Sequence, residues 1–219
     1  MANNRHSYGF KWVGSMDGAC YPKPLEFTVA SAYQAQVSAT DVGLSIGDPV
    51  QFNVGAPGTG MIELAAAAGS PSIIWGVIAG FSNARIDANG MSRPTNYLPG
   101  GTTWTTEQTR SKVLVVPFGR NIWEIDVTGN DTSEDTLAEY RAFQNKNVNL
   151  AYTLDVSNAN KPKAGPSVDI SSVTDDTADF RILQVSFTQD NQDFSGNFVK
   201  LRVVVNESGE APFVVDPGI

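Results

Sequence analysis

The sequence predicts an all-β protein, an antiparallel β-sandwich or barrel with one short helix and an extended N-terminal arm. Three observations predict it. Apolar and polar residues alternate in run after run, and successive strand side chains point to opposite faces. Turn residues separate the runs: the 219 residues include 20 Gly and 12 Pro. Only one stretch has helical character, so the βαβ alternation of a doubly wound sheet is absent.

The elements follow in chain order. Residues 1–25 hold no sustained period, and Gly9, Gly14, Gly18, Pro22 and Pro24 interrupt any element. Aromatic residues nonetheless recur there, at Tyr8, Phe10, Trp12 and Tyr21. A disordered tail is poor in aromatics, whereas an arm that anchors on a surface needs them, because each can bury about 150–250 Å². The arm either reaches a neighbour or packs along its own barrel. The remainder, 26–219, reads as one β-rich domain. Tyr33, Ala35, Val37 and Ala39 form the first alternating run, and Val50, Phe52 and Val54 follow Gly47-Asp48-Pro49. Ile73–Phe81 and Val113–Phe118 are apolar on both faces and read as central strands. Pro117 cannot donate to a ladder, which places it at an edge or bulge.

Gly119-Arg120-Asn121 signals a hairpin into Trp123, Ile125 and Val127, with Glu124 and Asp126 expected on a wet face. Thr132 and Asp135 suggest a capping box for a helix over 133–144. Val148–Val156 is the longest alternating stripe, ending at Asn158–Pro162. Leu183, Val185 and Phe187 form another, and Val199, Leu201, Val203 and Val205 the last, facing away from Lys200 and Arg202. The stretch from Arg85 to Thr109 contains the Asn89-Gly90 turn, Tyr97 and Trp104, and reads as a long loop of the kind that often carries function.

Composition excludes several classes of chemistry. One His and one Cys cannot supply a structural zinc site, a haem or iron–sulfur ligand set, or an internal disulfide. His6 lies in the leader, so a Ser-His-Asp or Cys-His centre is not expected, and Cys20 has no neighbouring base to activate it. Gly55-Ala56-Pro57-Gly58-Thr59-Gly60 lacks the Lys-Ser/Thr pair of a phosphate loop. Two acidic groups, Asp126, Asp131, Glu134 and Asp135, and Asp169, Asp175, Asp176 and Asp179, do not match calcium-loop spacing and read as solvated loops. No catalytic residue, metal or cofactor is expected.

The formal net charge of −8 disfavours nucleic acid and anionic membrane as partners. Charge is uneven, since the first 25 residues carry Arg5, Lys11 and Lys23 against Asp17. Residues 1–30 lack the apolar core of a secretory signal, so synthesis in a host cytoplasm is expected.

The order of segments adds a further expectation. Tyr8-Gly9-Phe10-Lys11-Trp12 is followed by a strand near Phe27–Ala30 and by Gly47-Asp48-Pro49-Val50. Trp75-Gly76-Val77-Ile78, Tyr97-Leu98-Pro99-Gly100, Val115-Val116-Pro117 and Trp123-Glu124-Ile125 come after them. Through most of its length this order resembles the head decoration, or cement, proteins of tailed bacteriophages, which are encoded beside the major capsid protein. The resemblance rests on the succession of short segments. It implies a virion structural protein on the outer capsid surface, with the major capsid protein and its own copies, as a homotrimer, for partners. Protein-binding anchors are expected at Tyr8, Phe10, Trp12, Tyr21, Tyr97 and Trp104. A chain lacking residues 2–22 is expected to fold and to lose shell binding. Rival readings are a carbohydrate-binding or glycan-cleaving β-sandwich on a virion surface, and a tail or neck component.

Overall fold

The computed structural model describes residues 9–18, 21–29, 43–52, 60–65, 74–82, 97–98, 112–128, 136–152, 165–174, 178–189, 191–195 and 198–206. The expected strand at Tyr33–Ala39, the Asn89-Gly90 turn and the Asn158–Pro162 stop lie outside these residues, as do Thr132 and Asp135.

The all-β expectation holds. The first barrel is closed and runs in the order β2 (Leu25–Val29), β5 (Met61–Leu64), β4 (Pro49–Phe52), β6 (Ile74–Phe81) and β8 (Lys112–Pro117). The second sheet begins at its edge with β1 (Lys11–Ser15). It continues through β9 (Asn121–Thr128), β11 (Pro166–Thr174), β10 (Asn147–Tyr152), β12 (Phe180–Val185) and β13 (Lys200–Val205). A pairing of β13 back to β9 closes this sheet on itself. A short pair, β3 (Leu44–Ser45) with β7 (Tyr97–Leu98), completes the strands. Most pairings are antiparallel, but β2–β5 and β11–β9 are parallel.

Each sheet encloses its own core. Val29, Leu44, Val50, Ile62, Trp75, Ile78, Val113 and Val115 fill the first. Around Phe27, Phe52 and Trp75 the rings meet at 4.5–6.0 Å between centroids. The second core is larger and gathers Phe118, Trp123, Ile125, Val148, Leu150, Phe180, Ile182, Leu201 and Val203. Strands β6 and β8 serve both: Trp75, Ile78, Val113 and Val115 face the first core, whereas Ile74, Val77 and Val116 face the second. Their continuous apolar runs follow from burial on both faces. Gly76 permits the close approach of the two strands, because a Cβ there would lie 2.5 Å from the Val116 carbonyl oxygen.

The Gly119-Arg120 turn joins β8 to β9, with Asn121 N–H donating to the Phe118 carbonyl at 2.8 Å, but the expected hairpin does not form: β8 pairs with β2 and β6 and β9 with β1, β11 and β13, so the chain passes here from one sheet to the other. The helix is shorter than expected. Helix α1 spans Leu137–Ala142, and its capping box is Thr136 with Glu139, one turn later than Thr132 with Asp135. The β12 stripe is also shifted. A register irregularity between Ile182 and Gln184 changes the phase, so Phe180, Ile182 and Val185 face the core. Phe187, expected inward, is 62% exposed.

Candidate functional site

The leader divides into an inward part and an outward part. Inward, β1 pairs with β9 through Lys11↔Glu124, Trp12↔Trp123, Gly14↔Ile122 and Ser15↔Asn121. Phe10, expected to anchor on a partner, is instead a core residue of its own chain with 3% exposure. Its ring lies 5.3 Å from Phe118, 6.4 Å from Trp123 and 5.2 Å from Phe180. Burial of an apolar ring among three others outweighs leaving it available to a partner. Gly9 makes this entry possible: its φ of +66° suits glycine, and a Cβ would meet Pro166 Cγ at 2.4 Å. Phe10 N–H then donates to the Gly47 carbonyl at 3.0 Å, and Gly47 N–H donates to that of Ile78 at 2.8 Å. The leader is thereby tied to β6. Trp12 is half-buried, and its Nε1 donates to Asn121 Oδ1 at 3.0 Å.

The outward part follows β1. Met16 is 63% exposed, Tyr21 82% and Leu25 50%. Of the expected anchors, Tyr21 is therefore the one whose side chain the structure presents to solvent. Tyr8 and Trp104 lie outside the described residues, and for Tyr97 only the strand pairing with Ser45 is described. Met16 and Leu25 were not singled out by sequence. The signal for them is their position on either side of a Gly- and Pro-rich stretch, Met16 just past β1 and Leu25 at the first residue of β2.

Between β1 and β6 lies an apolar groove of about 300 Å³. Phe10, Trp12 and Trp123 line one side, and Val77, Ala79 and Val116 the other, with Lys11 and Pro22 also contributing. Lys11 is mostly exposed and reaches Glu124 Oε1 at 3.5 Å.

The face of β9 opposite the aromatic core is polar yet buried. Glu124 and Asp126, expected in water, are 1% and 4% exposed. Register places Lys200 opposite Asp126 and Arg202 opposite Glu124, and Lys200 is fully buried. Ser186 Oγ donates to Glu124 Oε2. Asn191 Nδ2 donates to the Ser186 and Lys200 carbonyls at 2.7 and 3.0 Å. Lys200 N–H returns a bond to Asn191 Oδ1 at 2.9 Å. Opposite charges on facing strands compensate their loss of water. The sequence signal was present: Glu124 and Asp126 on one stripe match Lys200 and Arg202 on another. Asn191 thereby links Ser186 to Lys200.

Two further carboxylates are perturbed. Burial pushes Asp179 above its ordinary value, against the Leu150 N–H that it accepts at 2.7 Å. On the first barrel, Ser82 Oγ donates to Glu26 Oε2 at 2.7 Å and Lys112 Nζ to Oε1 at 3.0 Å. These contacts, Ser82 foremost, draw Glu26 below its ordinary value.

Of the two acidic groups, Asp126, Asp169 and Asp179 fall within the described residues and Asp131, Glu134, Asp135, Asp175 and Asp176 outside them. Among the described residues no three His, Cys, Asp or Glu side chains gather as metal ligands. No helix among them is long and apolar enough to cross a membrane. His6, Cys20 and most of the Gly55–Gly60 loop lie outside the described residues.

No family model, curated protein or solved structure matches this chain.

Proposed function

We propose that this chain is a virion structural protein, a decoration or cement protein that binds the outer surface of an icosahedral phage head. Its partners in this reading are the major capsid protein and further copies of itself, arranged as a homotrimer. The order of segments along the sequence suggests the class. The observation that carries the reading is the outward stretch of the leader, where Met16, Tyr21 and Leu25 expose large apolar side chains beside a strand locked into the barrel. Tyrosine and methionine are favoured at the centres of protein interfaces, and a rigid mount lowers the entropy lost when they dock. The closed first barrel supplies that rigidity, and its strands β6 and β8 also pack Ile74, Val77 and Val116 against the second core. Several such contacts per assembled particle add avidity and stabilise the shell by mass action.

The test uses the full-length chain. Met16→Ala/Tyr21→Ala changes two exposed side chains and should leave the thermal transition in place. Its affinity for purified heads in a co-sedimentation titration should fall by at least tenfold. Unchanged binding to heads removes this stretch as the anchor. Failure of the unaltered chain to bind heads removes the function.

A further inference from the structure

We propose that the Asp17-Gly18 peptide is a self-modification site, at which the chain rearranges to an isoaspartyl linkage. Asp17-Gly18 is the single Asp-Gly pair in the sequence. It lies in the turn that follows β1, and both residues are exposed. The rearrangement needs an aspartyl carboxyl and a following amide nitrogen that can turn toward it. Glycine meets the second need, because it has no Cβ to hinder rotation of the peptide plane. Gly18 has a φ of +77°, and a Cβ built on it would meet nothing within 4 Å, so the surroundings leave that plane room to turn. Its N–H donates to the Ser15 carbonyl at 3.3 Å, beyond the usual length of such a bond. Ser15 Oγ donates to Asp17 Oδ1, which keeps the carboxyl against the same turn.

Two other aspartates provide the comparison. Asp193 Oδ1 accepts from Ser195 Oγ at 2.9 Å, and Asp169 Oδ1 from Ser171 Oγ at 2.6 Å, so the same serine contact recurs. Phe194 follows Asp193 and packs against the second core, and Ile170 follows Asp169 within β11 at 4% exposure. A packed side chain anchors each of those amides. Of the three aspartates, Asp17 alone precedes a residue with no side chain to anchor it.

The reaction balances in two steps. The Gly18 nitrogen attacks Asp17 Cγ: the N–Cγ bond forms, the Cγ–OH bond breaks, and the hydroxyl leaves with the amide proton as water. Water then opens the resulting succinimide ring. Opening at the Asp17 main-chain carbonyl breaks the original peptide bond and turns that carbon into a carboxylate, so the chain continues through Cβ and Cγ. Mass is unchanged, and no co-reactant besides water takes part. Carboxyls react this way in their neutral form, a small fraction near neutral pH, so the product accumulates with the age of the chain. The main chain becomes one atom longer between Met16 and Tyr21, both exposed. An effect on docking rests on the function proposed above; the rearrangement itself does not.

The experiment ages the folded, full-length chain at body temperature in mildly acid buffer, then digests it with a protease that cuts before aspartate but not before isoaspartate. The fraction resistant at the Met16–Asp17 bond should grow with time and exceed that at Gln192–Asp193 and Val168–Asp169 at least tenfold. Electron-transfer fragmentation of the resistant peptide should place the extra main-chain carbon at residue 17. Gly18→Ala, in open space on the surface, should keep the thermal transition and slow the growth at least fivefold. Equal resistance at the three bonds, or growth unaffected by Gly18→Ala, would overturn the assignment. Head binding plays no part in the readout, so the result stands apart from the proposed function.

Discussion

Replacing Phe10 by Ala tests whether the leader belongs to the fold. The ring is 3% exposed and touches Phe118, Trp123 and Phe180, each from a different strand or turn. Deleting a buried phenyl costs about 3–5 kcal/mol, because transfer and cavity terms add. Buried rings gathered in one core cluster have little room to collapse, which points to the upper half of that range. With a urea m-value of about 3 kcal/mol/M for a chain of this size, the midpoint should fall by roughly 1.3–1.7 M. Tryptophan emission is the natural probe, since Trp123 lies 6.4 Å from the ring. Phe10→Leu should recover most of the loss. A shift below about 0.3 M would refute the reasoning and return the leader to the status of a detached arm. The same geometry revises the truncation experiment. Removing residues 2–22 deletes Phe10 and the whole of β1, so the truncated chain should unfold more readily as well as bind less.

Gly76→Ala places a Cβ 2.5 Å from the Val116 carbonyl oxygen and 2.7 Å from Val115 Cγ1, in contact with backbone that cannot turn aside. It should cost about 2–3 kcal/mol and lower Tm by roughly 4–12 °C in a calorimetric scan, whereas an unchanged Tm would contradict the close packing of β6 on β8. Asp179, raised by burial, binds its proton more tightly folded than unfolded. Stability should therefore decline as pH rises from the ordinary carboxylate value to the raised native one. Asp179→Asn should flatten that segment of the stability profile, and a profile identical to the parent's would count against the buried charge. Glu26 runs the other way: its contribution is present above the unfolded value and is lost as pH falls through the lowered native one. Lys112→Met should remove part of that acid dependence, and an unaltered acid limb in urea titrations at graded pH would argue against the pairing.

The elements most legible in the sequence were those where one local signal sufficed. Gly119-Arg120 marked the turn between β8 and β9, though not that it leads into another sheet, and the continuous apolar runs of β6 and β8 reported burial on both faces. Less legible features depended on partners distant in the chain. The wet face expected at Glu124 and Asp126 is buried: β13 brings Lys200 and Arg202 opposite them, and Ser186 reaches Glu124. Period 2 also could not locate the irregularity at Leu183, which moves the β12 core stripe from Leu183 to Ile182. Aromatic density in the leader was visible, but its division was not. Phe10 turns inward because Gly9 and Gly47 let the backbone dock on β6, whereas Tyr21, beyond the end of β1, is exposed to solvent.

The most direct measurement of the account is a reconstruction of heads decorated with the full-length chain. It should place both barrels on the outer shell surface, three copies around a shared axis, with Met16 and Tyr21 against the capsid protein. Density confined to the tail or neck, or a leader turned toward solvent on the shell, would contradict it.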